Sequence, residues 1–162
     1  MIRLTVYGQP APQGSKRHVG GGRMIESSKK VKPWRQDVKA AAEQFLAGCA
    51  VMRDLVGGCN VRVMPNGPDA VVAFPLDRPL RVRMVFTLPK PKSAPKTRRT
   101  FPDRKPDLSK LLRSTEDALT DAGLIADDAR LVEFSRLAKV FPNEDPDALD
   151  RPGVLIEIEV MR

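Results

Sequence analysis

Residues Lys105 to Arg130 read KPDLSKLLRSTEDALTDAGLIADDAR, and no other segment constrains the fold as much. Pro106 discourages helix before it and Asp107 is a favoured N-cap residue, so the sequence predicts a helix starting at Leu108. From there Leu108, Leu112, Thr115, Leu119 and Ala122 form one stripe, with Leu111 and Ala118 beside it, which marks a face to be buried. Gly123 is the expected stop, where a left-handed residue closes the helix. Ser109, Arg113, Glu116, Asp117 and Thr120 occupy the other, more polar side. A helix with one apolar stripe needs a surface to lie on, and strand patterns flank it. Leu80, Val82, Met84, Phe86 and Leu88 alternate with Arg81, Arg83, Val85 and Thr87 before the helix. Leu131 to Phe141 is strand-like after it, and Val154 to Met161 alternates strictly.

The remaining segments fit the same plan. Ile2, Leu4 and Val6 alternate with Arg3, Thr5 and Tyr7 in a half-buried strand that Gly8-Gln9-Pro10-Ala11-Pro12 ends. Residues 13–30 are glycine-rich and basic, with Lys16, Arg17, Arg23, Lys29 and Lys30, and read as a flexible loop. A first helix opens near Pro33, carries Trp34, Val38, Ala41, Ala42, Phe45 and Leu46 at helical spacing, and meets a stop signal at Gly48. Gly57-Gly58 and Pro65-Asn66-Gly67-Pro68 flank short β-like pieces, Val61 to Met64 and Ala70 to Phe74, which predicts a hairpin. Lys90 to Lys105 is a Pro-broken basic loop and Asn143 to Arg151 an acidic one. The chain has no internal repeat, and its 162 residues suit a single domain. The expected fold is α+β, with a mixed or antiparallel sheet and two main helices.

Charge narrows the function classes. Lys and Arg number 28 against 20 Asp and Glu, a formal charge of +8, which favours anionic partners. No apolar run approaches the roughly 20 residues of a membrane span, and the basic residues form no helix with a strong apolar face. MIRLTVYGQP lacks the basic and apolar regions of a secretory signal, so a cytoplasmic location is expected. Cys49, Cys59 and His18 do not supply the paired ligands of a zinc site, and the cysteines read as thiols in a reducing compartment. A single histidine in a glycine-rich loop offers no Ser/His/Asp machinery.

The acids admit two readings. Asp107 can simply cap its helix, Arg113 and Asp117 can form an i,i+4 ion pair worth a few tenths of a kcal/mol, and Asp127-Asp128 can be a solvated turn. Alternatively, carboxylates gathered on a basic protein suit a metal-dependent reaction on a polyanion. The helix spans about 20 Å, so Asp128 meets Asp107 only if the chain doubles back tightly or a second subunit supplies one partner.

Taken together, KPDLSKLLRSTEDALTDAG…ADDARLVE resembles the signature of the RusA family of Holliday-junction resolvases, KPDxDNLxKxxxDAL followed by a turn, a DD pair and a hydrophobic strand. VYGQPAPQGSKR resembles the family's opening strand and turn into a basic loop, KPWRQDVKAAA its first helix, and LRVRMVFTLPKPKS its central strand and Pro-Lys loop. The resemblance covers residues 1–50 and 76–140, so 51–75 reads as an insertion in one RusA-like domain. It implies a homodimeric endodeoxyribonuclease that resolves four-way DNA junctions by paired cleavage in recombination and repair, often of phage or prophage origin. The implied cofactor is Mg²⁺, with Mn²⁺ substituting, and there is no small-molecule cofactor.

Residue by residue, the resemblance makes Asp107 and Asp128 catalytic metal ligands, with Asp127 and Asp117 as further ligands. Arg113 takes the place of the family's catalytic lysine. Ser109 stands where the family has a second aspartate, which removes one hard anionic oxygen and leaves an alternative: a non-catalytic branched-DNA-binding protein with a degenerate metal site. Expected phosphate contacts are Lys16, Arg17, Lys90, Lys92, Lys96, Arg98, Arg99, Arg104, Lys105 and Lys110. Among the aromatics, Trp34 is expected in the core, while Tyr7 and Phe101 are candidates for stacking on bases, Phe101 as a wedge.

Overall fold

The computed structural model describes the backbone of residues 1–14, 16–18, 24–26, 29–56, 60–62, 69–71 and 73–161, and the side chains of 1–14, 29–49 and 73–161. Four strands form the main sheet in the order β1 (Ile2–Tyr7), β8 (Gly153–Val160), β6 (Leu80–Thr87), β7 (Leu131–Val140). β8 runs antiparallel to both β1 and β6, whereas β6 and β7 are parallel, so the sheet is mixed and the domain α+β, as expected. A parallel pair cannot be closed by a tight turn. The crossover from β6 to β7 is helix α2 (Leu108–Asp121), which rests on the sheet beside α1 (Val31–Val56).

Alternation explains β1, whose Ile2, Leu4 and Val6 point inward while their neighbours stay in water. On β6 the alternation holds only for the first half, and Val85, Phe86 and Thr87 are all buried. The acidic loop causes this by covering the outer face: Leu149 N donates to Thr87 Oγ1 at 2.9 Å. The core lies between sheet and helices. Trp34, 1% exposed, anchors α1 there, and its Nε1 donates to Thr115 Oγ1 of α2 at 3.2 Å.

The buried face of α2 centres on Leu111, Ser114, Thr115, Ala118 and Leu119, rotated from the stripe read in sequence, with Leu108, Leu112 and Ala122 partly buried at its margins. Two hydroxyls enter the core because each finds a carbonyl. Ser114 Oγ donates to Ala11 O at 2.7 Å, and Thr115 Oγ1 donates to Leu111 O at 2.9 Å. Complete burial of a side chain such as Leu111 is worth about 1.5–3 kcal/mol. Gly123 ends the helix as expected, with φ of 72°, its N–H on Thr120 O and the Leu124 N–H on Leu119 O.

Several expectations need correction. α1 begins at Val31 and passes through Gly48 to Val56. A helical glycine costs only about 1 kcal/mol against alanine, and Gly48 is followed by residues that can continue a helix rather than by a proline. Residues 13–30 contain a two-stranded ribbon, β2 (Lys16–His18) paired with β3 (Met24–Glu26), rather than an unstructured loop throughout. The predicted hairpin exists as β4 (Asn60–Arg62) paired with β5 (Asp69–Val71), although its turn signals and Arg23 lie outside the described residues. Cys49 is disulfide-bonded, not the free thiol expected. Thiol pairing depends on how close two backbones come, which spacing in sequence does not reveal. Among the described residues no helix is long and apolar enough to cross a membrane.

Candidate active site and nucleic-acid face

The β6–α2–β7 unit has two ends with opposite electrostatic character. At the amino ends of β6 and β7 the turn after Gly123 is tied down by Leu76, which donates to Leu124 O at 2.9 Å and accepts from Ala126 N at 3.0 Å. This brings Asp127 and Asp128 back against the last turns of α2. Arg35, Asp117, Thr120, Asp121, Asp127 and Asp128 line an open cleft of about 320 Å³ there.

Each carboxylate in the cleft has a different situation. Asp117 and Asp121 accept from the two guanidinium nitrogens of Arg35, at 3.2 and 2.5 Å. The i,i+4 pair expected between Arg113 and Asp117 is thus replaced by a contact from α1. Asp127 Oδ1 accepts from Ala129 N at 2.8 Å and caps a single 3-10 turn, Asp128–Arg130. Among the described residues, no hydrogen bond or ion pair engages the Asp128 carboxylate. Glu116, half-buried on the adjoining face of α2, is pushed up to about 7, first by burial and then by the charges of Asp128 and Asp117, with Arg113 offsetting part of the rise.

Asp107 stands at the other end. It occupies the N-cap position with extended backbone angles, φ −70° and ψ 134°, yet its side chain caps nothing. The carboxylate is about half exposed (49%) and lies 3.5 Å from Lys110 Nζ. Capping therefore explains the backbone at Asp107 but gives its carboxylate no task. Ser109 follows it, exposed on the first turn. Lys139, near the carboxyl end of β7, donates to Arg104 O at 2.7 Å and Pro106 O at 3.0 Å, which fixes this end of the helix beside the far end of the sheet. Asp117 is ten residues on from Asp107, about 15 Å along the helix axis. The structure thus brings Asp117, Asp127 and Asp128 together and leaves Asp107 apart.

Arg35, Glu116 and Asp121 escaped the sequence reading as members of this cluster. Asp121 carried a signal, because it lies one turn beyond Asp117 on the same helix. Arg35 carried none, since its link to Asp117 spans 82 positions.

The basic loop lies at the Asp107 end, and the acidic loop claims part of it. Lys90 pairs with Glu144, and Arg99 Nη2 lies 2.7 Å from Asp145 Oδ2. The Asp145 carboxylate is 2% exposed and also takes Arg136 at 2.7 Å. Lys90 holds the Glu144 carboxyl below its ordinary range, and Arg136 does the same to Asp145. Lys90 and Arg99 are thus engaged within the protein. Lys92, Lys96, Arg98, Arg104 and Lys105 are exposed, and no ion pair among the described residues involves them. Lys16 and Arg17 belong to β2, with side chains outside the described set.

Among the described residues, no three His, Cys, Asp or Glu side chains are arranged to hold a metal ion within one chain. The donors in the cleft are nevertheless all hard oxygens, four carboxylates and the Thr120 hydroxyl. Mg²⁺ suits such a set, because it keeps several waters and takes only one or two protein carboxylates plus phosphate oxygens.

No curated protein matches the chain. The family model of endodeoxyribonuclease RusA matches residues 68–159, a span that includes β6, the basic loop, α2, the Asp127-Asp128 turn and β7. With more than half of its 162 residues inside that match, and with Asp107 and Asp128 among them, the chain belongs to the RusA endodeoxyribonuclease family.

Proposed function

We propose that the protein is a divalent-metal-dependent endonuclease that resolves four-way DNA junctions by paired cuts, working as a homodimer in the cytoplasm during recombination and repair. One observation carries this reading. Among the described residues most carboxylates have a cation or an N–H, whereas Asp128 has neither and Asp107 leaves its cap unused with only Lys110 of its own helix beside it. These two stand where the family signature has acids.

Asp128, with Asp127 or Asp117 beside it, would hold Mg²⁺, and Mn²⁺ would substitute. When bound, the ion would polarise the scissile phosphate and strengthen water as a nucleophile. Arg35 orients Asp117 through its guanidinium, and Arg113 supplies positive charge beside the cleft to offset charge developing on the phosphate. Asp107 is too far along α2 to share that ion within one chain. A two-fold dimer supplies a second copy, and its symmetry matches a substrate cut twice. The unpaired cations of the basic loop neutralise backbone phosphates.

The serine at position 109 favours a second reading, a branched-DNA-binding protein that does not cut. Incubation with a synthetic four-way junction, a flap and a linear duplex, with and without Mg²⁺, separates the two. Nicking of the junction that requires metal and disappears in Asp128→Asn supports the nuclease. Tight junction binding with no nicking at any Mg²⁺ or Mn²⁺ concentration overturns it.

A further inference from the structure

Phe101 is 65% exposed, more than Met1, Tyr7 or Val132, the other large hydrophobic residues in water among the described residues. A lone exposed apolar side chain is ordinary. What sets Phe101 apart is the amount of polar structure that holds it there. On one side, the backbone N–H and the hydroxyl of Thr100 both donate to Glu144 Oε2, each at 3.1 Å. On the other, Pro102 is buried and Asp103 N closes a turn onto Phe101 O at 2.9 Å. The Arg99 guanidinium lies over the ring, 4.9 Å from its centroid, while the nearly buried Asp145 grips that same guanidinium. The ring is thus fixed in place and left in water.

An aromatic held this way contributes little to the fold, and its surroundings show what it could meet. Arg98, Arg104 and Lys105 are exposed nearby in sequence and have no ion pair among the described residues. A flat π-face beside unpaired cations matches a nucleobase flanked by phosphates. In a continuous duplex both faces of a base are already stacked, so the ring has access only where stacking is interrupted.

We propose that Phe101, held on the platform formed by Arg99, Thr100, Glu144 and Asp145, stacks on a base face that a DNA branch point leaves unstacked. This deepens the junction reading and rests on it.

The test uses the full chain in EDTA, so that binding is observed without cleavage. A four-way junction and a single strand each carry 5-iodouracil, at the branch point and mid-strand respectively. Near-ultraviolet irradiation should give a crosslink that peptide mass spectrometry places on Phe101. Phe101→Ala should lose that adduct and bind the junction about tenfold more weakly, while its affinity for linear duplex stays within about twofold. Phe101→Trp should restore junction affinity. Unchanged junction affinity in Phe101→Ala overturns the proposal, as does an equal loss on duplex and junction. If the wild-type protein shows no preference for junction over duplex, the junction reading fails, and the single-strand crosslink still decides the role of Phe101.

Discussion

The two ends of the β6–α2–β7 crossover use the same kinds of side chain in opposite ways. At the carboxyl end of the strands, Glu144, Asp145 and Asp147 are matched by Lys90, Arg99, Arg136 and Arg83. Glu144 and Asp145 are held below their ordinary range, and the loops they join are fixed. At the amino end, Asp117, Asp121, Asp127 and Asp128 share a cleft with Arg35, and the excess negative field helps to raise Glu116. Charge matched within the chain builds architecture. Charge left unmatched raises the energy of the folded chain unless a cation or another charged partner arrives, and that cost supports the proposed site.

The sharpest way to break this comparison is to remove an unmatched acid. Asp128→Asn should lower junction cleavage by roughly a hundredfold or more, with junction affinity changed little. Asp107→Asn should behave likewise, and cleavage by either variant at the wild-type rate removes that residue from the site.

Removing a matched acid should instead act on stability. Asp145→Ala leaves two guanidiniums without their shared partner and should cost about 1–3 kcal/mol in urea denaturation. Because Glu144 and Asp145 are depressed in the folded chain, the stability they contribute is present above their ordinary values of 4.5 and 3.8 and is lost as pH falls below them. A denaturation midpoint unmoved by Asp145→Ala would show that the clip between the loops is decorative.

Glu116 gives a smaller, oppositely signed effect. Its raised value means that its charged form is disfavoured in the folded state, a cost felt above about pH 7 and relieved as pH falls toward 4.5. In EDTA, Glu116→Gln should raise Tm by about 2–4 °C at pH 8 and by less at pH 5. An equal gain at both values would mean that packing, and not charge, is responsible.

The smallest effect separates free from engaged cations. Arg98→Ala should reduce the slope of log K against log salt on duplex DNA by about 0.9, whereas Lys90→Ala, already held by Glu144, should leave it unchanged. Equal changes would erase the distinction between the two.

Elements governed by local rules were legible beforehand. Ile2–Tyr7, Leu80–Thr87 and the Leu108–Asp121 helix follow from alternation, amphipathic spacing and the positive-φ Gly123 just beyond it, all settled within a few residues. Gly48 misled because the same residue type that closes α2 is tolerated inside α1. The rotation of α2 also escaped notice: Thr115 lay on the expected stripe but Ser114 did not, and its hydroxyl is buried because Ala11, far away in sequence, supplies a carbonyl.

For the segment Lys105–Arg130, the sequence by itself determined a helix with acids at both ends, and its signature pointed to the nuclease family. Only the tertiary structure decided which of those acids stand together and which are already matched. Spacing along a helix is local, but Arg35 reaches Asp117 across 82 positions and Arg99 reaches Asp145 across 46. The charge state and availability of a carboxylate depend on such distant partners, so they emerge only when the chain has folded.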